Sequence, residues 1–235
     1  MVDATHLEEL AGAAHRLVRT VDGMTEADYA EPSLLPDWTR GHVVAHLALN
    51  GEGLAGTLRG LTEGRSVPVY ASPEDRENDI ASLGEADPAA IRSRLLGAVT
   101  DFTDAVAAVP EEAWTATVER TPGGRSFPAS AALDMRQREI EIHHADLGLG
   151  YSHRDWPPAF AARLVEAAAA RRQPEPFTAR ATDLDVAWHL GGASSADPGP
   201  TVTGTAADLG WWLTGRGEGT GLQCDRGALP EVEPW

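Results

Sequence analysis

The sequence predicts an α+β protein: an up-and-down four-helix bundle over residues 1–150, then a small α/β domain over residues 151–235. Three observations carry that expectation. The first part of the chain holds four long segments with apolar residues at helical spacing. Beyond residue 150 or so the pattern shifts to short alternating runs typical of strands. The length of 235 residues suits one large domain or one medium and one small.

The elements follow in order. Residues 3–23 bring Leu7, Leu10, Ala14 and Leu17 to one side of a helix. LLPDWTR supplies a Pro-Asp turn, and a second periodic run spans roughly 40–61 with Thr39 as its N-cap. TEGRSVPVYASPEDR reads as a turn-rich connection. A third helix is expected over about 87–108, stopped by Pro110, and a fourth from the turn at Ser126–Pro128 to Gly148. WPPAFAARLVEAAAARR is one more helix. ATDLDVAWHL and PTVTGTAADLGWWLTGRG alternate like strands around a short helix, GGASSADPGP is a surface loop, and LQCDRGALPEVEPW is a final strand and tail. No internal repeat is visible.

Composition narrows the chemistry. Every basic residue is Arg, so a lysine Schiff base is excluded. The single cysteine, Cys224, excludes an internal disulfide framework and a cysteine zinc cluster. It reads as a small buried hydrophobe rather than a nucleophile. A metal would have to be held by His, Asp or Glu. The net charge of −17 argues against nucleic acid, whose phosphates need a basic surface. It also means that an acidic ligand needs a local arginine clamp. No stretch approaches the roughly 20 apolar residues of a membrane span. MVDATHLEELAG carries early acids and no apolar core, so no signal peptide and a cytoplasmic location are expected.

One stretch concentrates candidate ligands: REIEIHHADLG, from Arg138 to Gly148. At about 100° per residue, an arc of about 160° collects Ala132, Arg136, Glu139, Ile140, Ile142, His143, Asp146 and Leu147. Asp134, Gln137, Arg138 and Glu141 fall opposite, which makes Glu141 a solvated residue and leaves His144 at the margin. Glu139 and His143 lie one turn apart and can converge. The second helix sets His46 among Val43, Leu47, Leu54 and Leu58, with His42 and Asn50 a turn to either side. Two imidazoles and a carboxylate on facing helices form a three-ligand set with a fourth position open. The alternative is a pair of hydrogen-bonded core histidines with Glu139 paired to Arg136. A di-iron site is the weaker reading, since it needs two Glu-x-x-His elements, whereas Glu141-x-x-His144 stands alone with its Glu on the solvated side. His153 and His189 read as edge or surface residues, and Trp211 and Trp212 as packing of the small domain.

LLPDWTRGHVVAHLALN, VYASPEDRENDIA, FPAS, REIEIHHADLG and WLTGRG occur in that order. Together they resemble the mycothiol-dependent maleylpyruvate isomerases, within the DinB-like superfamily of metal-binding four-helix bundles. The resemblance spans nearly the whole chain and implies His46, Glu139 and His143 as ligands of Zn2+, although such a set also accepts nickel, cobalt or iron. It implies Arg76 and Arg216 as residues needed for activity, acting on substrate carboxylates, with Arg216 carried by a C-terminal domain that closes the active-site cleft. His42 is expected to serve helix packing or to support a ligand. Asp146, one turn beyond His143, is placed to orient that imidazole through its second nitrogen.

The implied activity is conversion of maleylpyruvate to fumarylpyruvate in aromatic catabolism, with mycothiol as thiol cosubstrate and a small dicarboxylate as substrate. The competing expectation is a mycothiol S-transferase, which shares the first step but leaves the thiol on its product. A non-enzymatic small-molecule binding module is the third. The sequence supplies no expectation for oligomeric state or thiol-recognition residues.

Overall fold

The computed structural model describes residues 3–233. Residues 1–2, and the last two residues of the expected tail, lie outside the described residues. The chain divides into two compact units at Gly150/Tyr151.

The first unit is built on four long helices: α1 (Ala4–Asp22), α3 (Arg40–Thr62), α5 (Pro88–Ala108) and α6 (Ala131–Asp146). Short-range chemistry sets their starts. Asp3 accepts from the Thr5 amide, Thr39 from His42 and Asp87 from Ala89, each satisfying a donor that the first turn leaves orphaned. Pro88 fits the first turn of α5, where its missing N–H is no loss. At the end of α6, Gly148 takes φ 66°, the left-handed conformation that closes a helix and suits glycine.

α3 packs chiefly against α5, and α6 lies against both α1 and α3. The core follows from this arrangement, with Leu17, Val43, Leu47, Leu54, Leu58, Ile91 and Leu95 fully buried. A short helix, α2 (Glu26–Ala30), leads towards α3.

One expectation fails here. The connection after α3 contains a further helix, α4 (Pro73–Gly84), over the end of the stretch read as turn-rich. Its start was legible: Ser72 accepts from the Asp75 amide, and Pro73 holds the first helical position. Few apolar residues mark it, because only Ile80 and Leu83 are buried.

A hairpin of β1 (Thr117–Glu119) and β2 (Ser126–Pro128) precedes α6. Residues 69–70 run beside it, with the Val69 and Tyr70 amides donating to Glu119 and Arg120 carbonyls at 3.1 and 2.9 Å. The segment also lies close to α3: a Cβ on Gly53 would sit 2.5 Å from the Val69 carbonyl oxygen. Glycine at 53 permits that approach.

The second unit is α/β, as the alternating pattern implied. α7 (Pro158–Ala169) and α8 (Ala206–Leu213) pack together, and a four-stranded sheet has the order β4-β3-β5-β6. Its strands are β3 (Phe177–Ala181), β4 (Ala187–Leu190), β5 (Thr201–Gly204) and β6 (Gln223–Cys224). β3 and β5 are parallel, and the other pairings are antiparallel. Phe177, Ala179 and Val202 are buried, so β3 and β5 carry this unit's sheet core. No described helix is long and apolar enough to cross a membrane.

Candidate metal centre

Two helices present the site. In α3, the Thr39 hydroxyl and the His42 side chain close a capping box, which sets where the helix begins. His46 follows one turn later on the buried side and is 1% exposed. The Trp38 ring lies edge-on to it, with centroids 5.7 Å apart. In α6, Glu139 and His143 stand one turn apart, so helical geometry alone brings them to the same side.

The three side chains converge. His46 Nε2 is 2.7 Å from Glu139 Oε2, and His143 Nε2 is 3.2 Å from the same oxygen. The two imidazoles meet edge-to-face, with centroids 4.6 Å apart and planes at 87°. One ligand atom from each of the three falls within 4.8 Å of the others.

Electrostatics hold His46 and Glu139 in the forms a cation would need, while His143 must give up a proton to bind one. Burial pushes His46 down to about 4, which keeps its imidazole neutral near pH 7. Burial alone would raise the Glu139 carboxyl, but the flanking His46 and His143 outweigh it and hold Glu139 well below the usual carboxylate range. Burial alone would lower His143, yet hydrogen bonds to Asp146 and Glu139 outweigh it and raise its pKa. His143 Nδ1 donates to Asp146 Oδ2 at 2.8 Å, with Asp146 itself buried. That bond fixes the tautomer and turns the Nε2 lone pair towards Glu139 and His46, the carboxylate–histidine arrangement that supports metal ligands.

The donor set fits a divalent cation. Tetrahedral zinc with ligands at roughly 2.0–2.1 Å separates neighbouring ligand atoms by roughly 3.3 Å. The His143–Glu139 spacing of 3.2 Å already matches. The His46–Glu139 spacing of 2.7 Å must open by a few tenths of an ångström. Two imidazoles sharing one carboxylate also give a cation the negative partner it needs.

Arg76, on α4, joins this group, with Nη2 3.3 Å from His46 Nδ1. Its Nε is buried without a hydrogen-bond partner. Arg216 belongs to the second unit, in a tight loop after α8, where Gly215 and Gly217 take φ 78° and 68°. Its guanidinium lies 5.8 Å from the Trp211 ring centroid, and Trp211 stacks on His153 at 5.1 Å.

Three placements from the helical wheel change, those of Gln137, Glu141 and His144, and so does the alternative pairing of Arg136; Gln137 is 1% exposed. Glu141 is not solvated: it is 0% exposed and accepts from Arg16 Nη2 at 2.8 Å. His144 is buried too, with Nε2 2.7 Å from the Thr20 hydroxyl. Both partners lie on α1, so α6 is covered on two sides and one apolar arc could not describe it. Arg136 does not pair with Glu139. It is buried and donates through Nη1 to the Leu47 carbonyl at 2.7 Å and to Asn50 Oδ1 at 2.9 Å.

His42 stays out of the cluster, its Nδ1 2.8 Å from the Thr39 hydroxyl. The polar group around Asn50 and Tyr70 had no sequence signal beyond the one-turn spacing of Asn50 from His46. Tyr70 comes from the loop before α4, and only the fold brings it there.

Residues 10–148 match the family described as the mycothiol maleylpyruvate isomerase N-terminal domain. Two solved structures resemble the chain throughout, that of the mycothiol-dependent maleylpyruvate isomerase and that of its histidine-to-alanine mutant. Each is 28% identical with a TM-score of 0.87, over 98% of this chain and 96% of theirs. No curated protein matches the sequence.

Proposed function

The chain belongs to the mycothiol maleylpyruvate isomerase N-terminal domain family, and from that premise we propose that it is a mycothiol-dependent cis-trans isomerase converting maleylpyruvate to fumarylpyruvate, with zinc as its metal. The observation that carries the reading is the convergence of His46, Glu139 and His143 within 4.8 Å, with Arg76 beside them.

His46 and His143 would hold the ion through Nε2 and Glu139 through a carboxylate oxygen. A metal held there would supply Lewis acidity that lowers the pKa of a bound thiol. Mycothiol supplies the nucleophile: its sulfur adds to the cis double bond, the resulting single bond turns, and elimination returns the thiol with the trans product.

The chain's own residues set the stage for that exchange. Asp146 holds the His143 ring so that Nε2 faces Glu139, where it would serve as a ligand. The Trp38 ring walls one side of His46. Arg76 offers a guanidinium to a substrate carboxylate. Arg216 is assigned the same task on the resemblance alone. No protein nucleophile is required, in keeping with a single cysteine and no lysine.

The test is turnover of maleylpyruvate with and without mycothiol, alongside metal content. The expected result is thiol-dependent isomerisation by a protein carrying one divalent ion, with both lost in His46→Ala. A His46→Ala variant that keeps its metal and its turnover would refute the assignment. Thiol retained in the product would replace the isomerase with an S-transferase on the same site.

A further inference from the structure

Beside the metal ligands, a chain of hydrogen bonds ends in a donor with nothing to donate to. Arg136 is fully buried, and its Nη1 donates to the Leu47 carbonyl and to Asn50 Oδ1 at 2.7 and 2.9 Å. Because guanidinium only donates, the Asn50 oxygen must face it, and that settles the orientation of the amide. Asn50 Nδ2 therefore donates to the Tyr70 hydroxyl oxygen, at 3.2 Å. Tyr70 accepts there, so its own O–H proton remains free to bond elsewhere. Among the described residues it meets no other hydrogen-bond partner.

Two guanidinium groups with donors to spare surround the same ring. Arg76 lies 5.6 Å and Arg120 5.7 Å from the Tyr70 centroid. The buried Nε of Arg76 has no partner. Arg120 makes no side-chain hydrogen bond or ion pair among the described residues. In a chain with 36 acidic and 19 basic residues, an arginine beside buried polar groups and without a carboxylate is conspicuous. Arg120 is fixed there by backbone pairing, since its carbonyl accepts from the Tyr70 amide at 2.9 Å. Arg76 pairs with Glu77 through Nη1 and with His46 through Nη2, but its Nε, the Tyr70 hydroxyl proton and the Arg120 guanidinium find no acceptor among the described residues.

We propose that Tyr70, Arg76 and Arg120 form a carboxylate-binding pocket next to the metal ligands, in which the Tyr70 hydroxyl and the Arg120 guanidinium bind one carboxylate of a dianionic substrate. The proposal rests on the isomerase reading for the identity of that substrate but not for the existence of the pocket. It adds Tyr70 and Arg120 as substrate-binding residues, and it gives Asn50 and Arg136 a positioning role, because they direct the Tyr70 proton outwards. The pocket also favours a dianion over a monoanion, since a ligand with a single carboxylate cannot engage both this pocket and a second cationic group.

The experiment uses zinc-loaded protein without thiol, so that no turnover occurs, and titrates it calorimetrically with maleate and with the monocarboxylate (Z)-but-2-enoate. Wild type should bind maleate and prefer it to the monoanion. Tyr70→Phe and Arg120→Gln should each weaken maleate binding about tenfold, the scale of one hydrogen bond to a charged group. Both should erode the preference over the monoanion, whereas Arg120→Lys should restore part of it. In turnover, both variants should raise KM more than they lower kcat. A packing role would not change the dianion preference, and circular dichroism checks that each variant folds. Maleate binding unchanged in both folded variants, or no maleate binding by wild type, overturns the pocket. If wild type binds maleate and the variants do not, yet maleylpyruvate is not isomerised, the isomerase reading fails and the pocket stands.

Discussion

Asp146 carries the sharpest prediction. Its buried carboxylate accepts from His143 Nδ1 at 2.8 Å, so the substitution Asp146→Asn removes charge while keeping shape and an acceptor oxygen. Hydrogen bonds to charged groups contribute roughly 1.5–3 kcal/mol, against roughly 0.5–1.5 for neutral pairs. The difference between the midpoints, about 1.25 kcal/mol, corresponds to a loss of roughly eightfold in metal affinity. Asp146→Ala removes the acceptor altogether and should reach about a hundredfold, the upper range for such supporting partners. The assay is competition for zinc against a chelator of known affinity at neutral pH, with circular dichroism to confirm that α6 is intact. If Asp146→Asn folds and binds zinc as tightly as the parent, the claim that Asp146 tunes His143 for a metal is wrong.

Three further outcomes are expected. Zinc affinity should fall with acidity in a stated order: the His143 proton, whose pKa is raised, must leave before metal binds, so affinity is complete above that pKa and falls about tenfold per pH unit below it. The loss begins above pH 6.5, and His46, held at about 4, adds its own proton only near that pH; a pH series of the same competition assay reads this, and Asp146→Asn should move the onset down. Arg16→Met removes the 2.8 Å ion-pair partner of the buried Glu141 carboxylate and should destabilise the fold by about 2 kcal/mol, less than the roughly 3–5 kcal/mol of fully buried pairs because Arg16 is 40% exposed. Urea midpoints measure it. Gly53→Ala forces a Cβ to within 2.5 Å of the Val69 carbonyl and should cost about 1–3 kcal/mol, while weakening maleate binding through displacement of Tyr70.

By itself the sequence determined the elements whose signal is local. Apolar spacing located α1, α3, α5 and α6, and caps such as Thr39 marked their starts, because a helix is built from bonds between near neighbours. The Glu139–His143 pair was equally legible, since four residues make one turn, and so was the Asp146 contact with His143. Spacing also showed His46 on a buried face. Periodicity failed where a helix is covered by more than one neighbour: Glu141 was assigned outwards and His144 to the margin because the wheel carries no record of α1. It failed too for α4, whose thin apolar face left only Ser72 and Pro73 as signals.

Tertiary structure alone decided which groups meet across the chain. His46 and Glu139 are 93 positions apart, and the packing of α3 on α6 is what closes that gap to 2.7 Å. Arg136, Asn50, Tyr70 and Arg120 come from two helices, a loop and a hairpin, and no spacing rule joins them. Hydrogen-bond direction, the property that leaves the Tyr70 proton unused, exists only once Arg136, Asn50 and Tyr70 are in place.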